Sequence, residues 1–141
     1  MPIKRSELID TENAGYYQLV SRCVRRTFLC GTHFNPITNL EQNFDHRRQW
    51  IENRILAFAE VFAIEVYAFA VMNNHYHLVV YSDPKAPEKW SDLEVANRWL
   101  KVFPNKLDEP RFKLQRELKL QSIINDPELL AKYRERLGSL S

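Results

Sequence analysis

Two apolar runs, residues 64–72 (IEVYAFAVM) and 75–81 (HYHLVVY), are separated only by Asn73-Asn74. Two strand-length runs joined by two turn-forming residues close most readily as an antiparallel hairpin. Asparagine tolerates the left-handed backbone that such short turns use, so the spacing predicts a tight turn with left-handed residues at Asn73-Asn74. The run Asp83-Pro84-Lys85-Ala86-Pro87 then ends the second strand, because proline cannot donate to a ladder. Every other element has to be arranged around this hairpin.

Upstream, residues 16–22 carry Tyr17, Leu19 and Val20 and read as a strand with a basic end at Arg22, Arg25 and Arg26. Residues 31–43 hold a glycine, a proline and three asparagines and read as a loop. Asp45 can cap a helix to about residue 62, with Trp50, Ile51, Ile55, Phe58, Val61 and Phe62 on one stripe. Downstream, Ser91 caps a helix to about residue 102, and Phe103-Pro104-Asn105 stops it. Two more helices follow at about 111–124 and 126–138, the second opening on Asp126-Pro127 and closing at Gly138. The order strand, helix, strand, strand, helix matches the opening of a ferredoxin-like βαββαβ unit. The expected fold is therefore α+β, with an antiparallel ferredoxin-like sheet, extra C-terminal helices and the last strand missing. The chain reads as one domain over residues 1–141, incomplete at its C-terminus.

A chain of 141 residues with 45% apolar and 27% charged residues can bury one core without staples. Cys23 and Cys30 are too few for a disulfide framework, and the N-terminus has no apolar leader, so a cytoplasmic protein is expected. No apolar run approaches 18 residues, so no membrane partner is expected. Twenty Lys+Arg against eighteen Asp+Glu give +2, which does not imply nucleic-acid binding by itself. Three glycines without GxxxxGK[ST] or GxGxxG exclude a glycine-rich phosphate loop.

Chemistry concentrates in Met72-Asn73-Asn74-His75-Tyr76-His77-Leu78. Residues two apart on a strand share a face, with Cα atoms about 6.6 Å apart. His75 and His77 can therefore converge on one divalent ion and leave coordination positions open, while Tyr76 and Leu78 point to the opposite layer. On spacing alone, two surface histidines are the commoner outcome of such a pattern. Cys30-Gly31-Thr32-His33 has the spacing of half a zinc site, but no second close pair follows, which favours a loop with a buried thiol. Lys113, Arg116 and Lys119 recur at three-residue steps, as a solvated face or a DNA-facing stripe. Trp90 and Trp99 read as core residues.

The stretch VYAFAVMNNHYHLVV resembles the signature of the single-tyrosine HUH transposases, in particular the IS200-like and REP-associated branch. SRCVRRTF at 21–28, HRRQW at 46–50 and EVANRWLKVFP at 94–104 extend the resemblance over residues 16–141. It implies a DNA transposase that cleaves and joins single-stranded or hairpin DNA through a 5′-phosphotyrosine and acts as a homodimer. His75 and His77 match the ligands of Mg²⁺ or Mn²⁺, manganese suiting two imidazoles better. Asn74 matches the positioning residue of the turn, and Arg22, Arg25 and Arg26 match the basic end of the first strand, where they would grip phosphates.

The chain departs from the family pattern at the nucleophile. No Tyr-x-x-x-Asn-Pro stretch occurs, and Tyr133 is the tyrosine on a downstream helix, in the setting AKYRERLGSLS. The expectation is a metal- and DNA-binding part that lacks the family's nucleophile helix and is inactive alone, with Tyr133 as the one candidate nucleophile, or a non-catalytic DNA-binding relic or regulator of the same fold.

Overall fold

A computed structural model of the chain describes residues 3–24, 28–104 and 106–140. It is an α+β protein with a three-stranded antiparallel sheet and several helices. After a four-residue helix, α1 (Arg5–Leu8), come β1 (Gly15–Arg22), β2 (Thr32–Asn35), β3 (Leu40–Asn43), α2 (His46–Val61), β4 (Ile64–Val71) and β5 (His75–Ser82). Three longer helices follow: α3 (Asp92–Val102), α4 (Lys113–Ile124) and α5 (Pro127–Gly138). The main sheet has the order β1-β5-β4, and β2 pairs with β3 alone.

Two compact units divide these elements. The first comprises Tyr16–Ala59 and Glu65–Tyr81, and the second Met1–Gly15, Glu60–Ile64 and Ser82–Ser141. In the sheet unit the core gathers Cys30, Ile55 and Val71, with Leu29, Ile51, Val66, Tyr76 and Leu78 packed against them. Helix α2 thus covers one face of the sheet through Ile51 and Ile55. The stripe is narrower than the sequence pattern suggested. Trp50 is 64% exposed and meets His46 edge to face at 4.9 Å. A helix turns about 100° per residue, so a face centred on Ile51 and Ile55 carries Trp50 to the flank.

The segment expected to be a loop is a second hairpin. Thr32 faces Asn43 and Asn35 faces Leu40 across β2 and β3. Asn35 caps the connecting turn by accepting from the amides of Ile37 and Thr38, and Asn39 takes a positive φ of 52°. Asparagine and proline mark turns, but they do not stop the residues flanking them from pairing.

The turn at Asn73-Asn74 also differs from expectation. Asn39 is the one non-glycine residue with positive φ among the described residues, so neither asparagine of the main hairpin is left-handed. Donors from outside the hairpin set its shape instead. Arg48 donates to the Val71 carbonyl, the Cys30 thiol to Met72 at 3.1 Å, and the amides of Leu29 and Cys30 to Asn73. The Cys23 amide donates to Asn74 at 2.8 Å. The C-x-x-H segment therefore resolves as a fully buried thiol hydrogen-bonded to the backbone.

In the helical unit, Ser91 and Asp126 cap α3 and α5, accepting from the amides of Glu94 and Leu129. Val95, Ala96, Leu120, Ile123, Leu130 and Leu137 are buried. The Ala63 amide donates to the Leu137 carbonyl at 2.8 Å, and Asp83 donates back to Ala63. No helix among the described residues is long and apolar enough to cross a membrane.

Gly31 tests the importance of the turn contacts. Its φ is +87°, and a Cβ there would lie 2.6 Å from the Asn73 side-chain oxygen. Gly31→Ala should cost about 1–3 kcal/mol. Thermal denaturation should show this as a fall in Tm of roughly 5 °C or more. An unchanged Tm would mean that the segment does not brace the hairpin.

Candidate functional site

Alternation along β1 and β5 creates the site. Tyr17 and Leu19 of β1 are half-buried, while Tyr16, Gln18, Val20 and Arg22 are exposed. On β5, Tyr76 and Leu78 pack against the core, so His75, His77, Val79 and Tyr81 stand on the opposite face. The two exposed sets meet: the Gln18 amide nitrogen lies 3.5 Å from His77 Nδ1, and the Tyr16 and Tyr81 rings are 5.0 Å apart.

His75 and His77 are half-buried neighbours with ring centroids 5.1 Å apart and planes at 79°. Asn74 Oδ1 is 2.6 Å from His75 Nδ1, so an Nδ1–H donating to that oxygen leaves Nε2 with a free lone pair. Gln18 can do the same for His77 when its amide is turned to present Oε1 to Nδ1–H. Fixing Nδ1 on an oxygen is how metal-binding imidazoles are oriented. Two imidazoles make half of a coordination shell. Among the described residues no group of three His, Cys, Asp or Glu side chains could hold an ion. Water or a substrate oxygen would have to supply the remaining positions.

Of the other expected site residues, Arg22 is exposed at the end of β1, on the Gln18 face. Arg25 and Arg26 lie outside the described residues. Tyr133 belongs to the helical unit and stacks flat on Trp99, with centroids 4.0 Å apart and planes 12° apart. Trp90 carries the Arg98 guanidinium 4.0 Å above its ring. In the stripe on α4, Arg116 is turned to its own unit, donating to Asn97 at 3.0 Å, while Lys113 and Lys119 are exposed.

Two contributors escaped the sequence reading. Gln18 is an outward residue of β1 whose role is legible only once β1 is known to lie beside β5. Arg48, within HRRQW, fastens the turn through Val71 and Asn73. A cleft of about 650 Å³ belongs to the helical unit and is lined by Asp10, Glu12, Pro87, Glu88 and Arg134 among others. Its arginine is already bonded to the Pro87 and Trp90 carbonyls and to Asp92, so it is no ready anion site.

The Tyr67 hydroxyl on β4 and the Tyr16 hydroxyl share a hydrogen bond at 3.4 Å, with ring centroids 5.2 Å apart, and the Tyr67 proton is held in it. That bond, with the nearby Tyr16 and Glu65 charges, pushes the Tyr67 phenol up to about 12. A phenol whose folded pKa is raised stabilises the fold below pH 10, and that contribution fades as pH rises toward 12. Absorbance titration of phenolate should show one tyrosine ionising near 12 and, in Tyr16→Phe, its return toward 10. Identical titrations would remove the Tyr16 contact as the cause.

No family model, curated protein or solved structure matches the chain.

Proposed function

We propose that the chain is the metal- and DNA-binding part of a single-tyrosine HUH-type transposase, acting on single-stranded or hairpin DNA. The observation that carries this reading is the adjacent His75/His77 pair on an exposed sheet face, each Nδ1 facing a side-chain amide. The order β1-β5-β4, with α2 running between β1 and β4 in sequence, supports a ferredoxin-like unit for the same reason.

The donor set fits a divalent ion held by His75 and His77, with Mn²⁺ preferred over Mg²⁺ because imidazole is the softer ligand. When bound, such an ion polarises a phosphate and stabilises charge as its ester bond breaks. The chain's own residues are placed to orient the two rings, Asn74 for His75 and, with its amide oxygen turned to Nδ1–H, Gln18 for His77. Arg22 adds positive charge on the same face, where a phosphate would be drawn.

A cleaving enzyme of this type also needs a tyrosine hydroxyl in line with the phosphorus, about 3–3.5 Å away. Tyr76 is committed to the core, Tyr17 is half-buried on the inward positions of β1, Tyr16 and Tyr67 are bonded to each other with Tyr81 packed on Tyr16, and Tyr133 is stacked on Trp99. The reading is thus of binding without cleavage by this chain alone. The second reading, a DNA-binding regulator of the same fold, rests on that observation and shares its site.

Calorimetry should show Mn²⁺ binding to the wild type, with at least tenfold weaker affinity in His77→Ala, since metal sites lose such factors when their ligands or orienting partners go. Equal affinity would reject the metal site. Incubation with Mn²⁺ and a labelled DNA hairpin should give binding that weakens with salt, and no covalent adduct on a denaturing gel. An adduct lost in Tyr133→Phe would make Tyr133 the nucleophile and overturn the binding-only reading.

A further inference from the structure

We propose that the exposed face of the β1-β5-β4 sheet is a stacking platform for unpaired bases of single-stranded DNA, with Tyr16 and Tyr67 as the receiving rings. The inference rests on the reading above and extends it, from the phosphate position to where the neighbouring bases go.

Tyr16 is 64% exposed and Tyr67 58%, although both lie in regular strands of a sheet whose other face is packed. They stand edge to face, and Tyr81 closes the group at 5.0 Å from Tyr16. An edge-to-face pair leaves a ring face open to a further π-system, which any nucleobase supplies. The chemistry of the face argues against an aliphatic helix as occupant. Its outward positions hold Tyr, His and Gln beside Val20 and Val79, so polar tips recur where a helix-packing surface would be dry.

Position along the strands fits a nucleotide chain. Gln18 lies against His77, and Tyr16 is one outward step further on, about 6.6 Å along β1. Arg22 lies two such steps in the other direction. The face therefore runs from a cationic end at Arg22, through the imidazole pair, to the tyrosines. Glu65 lies beside Tyr67 and acts on its hydroxyl, at the end of β4 remote from the turn that carries His75. A backbone phosphate at the histidines places an adjoining base over the rings, and the polyanion meets no carboxylate on β1 or β5.

The test uses the full chain and a fluorescently labelled oligothymidylate, read by anisotropy, with circular dichroism to verify folding. Tyr16→Leu and Tyr67→Leu keep apolar bulk and lose the π face, and each should weaken binding roughly tenfold. Tyr16→Phe keeps the ring and should bind as the wild type does. If wild-type protein binds no oligonucleotide, this inference and the DNA-binding function fall together. If it binds and the leucine variants are folded with unchanged affinity, the platform alone is overturned. If light scattering shows a wild-type dimer that Tyr67→Leu dissociates with no change in DNA affinity, the face is an interface between copies, which also overturns the proposal.

Discussion

The sheet unit depends on the way four successive carbonyls, those of Val71, Met72, Asn73 and Asn74, are each given a donor from outside the hairpin. Arg48 comes from α2, Cys30 and Leu29 from the segment before β2, and Cys23 from the end of β1. Unpaired carbonyls in a partly covered turn would cost free energy, so these donors must arrive together for the hairpin to close in this shape. The buried thiol of Cys30 serves twice, as a donor to Met72 and as a core residue against Ile55 and Val71. Gly31 follows because the chain must approach Asn73 closer than a side chain permits.

This clamp is what couples the fold to the candidate site. Asn74 passes its carbonyl to Cys23 and its side chain to His75, so the same residue anchors the turn and orients a ring. One step further, His77 is reached from β1 by Gln18. The site is therefore held by backbone geometry on one side and by strand pairing on the other, with no loop in between. Rigid placement of this kind is what a weak two-ligand site requires, because little of the binding energy is then lost to ordering the ligands.

Of the sheet, the hairpin, the helix before it and the three later helices were legible from period, caps and proline breaks. The β2–β3 hairpin was not: residues 31–43 have the composition of a loop, and their pairing is fastened at the base by the Phe44 amide on the Gly31 carbonyl. The left-handed turn failed for a related reason. Local preference for αL at asparagine is worth less than the five tertiary hydrogen bonds that demand another backbone shape.

The sequence by itself determined that His75 and His77 share a face, because a strand alternates whatever surrounds it, and that Tyr76 and Leu78 oppose them. It also determined where α3 and α5 begin, since Ser91 and Asp126 bond amides only three residues away. Only the tertiary structure decided that Gln18 meets His77 and that Tyr16 meets Tyr67, contacts 59 and 51 residues apart in the chain. No local pattern encodes such pairs. They exist because β1 pairs with β5 while β4 takes the other edge, a pairing between segments far apart in the chain.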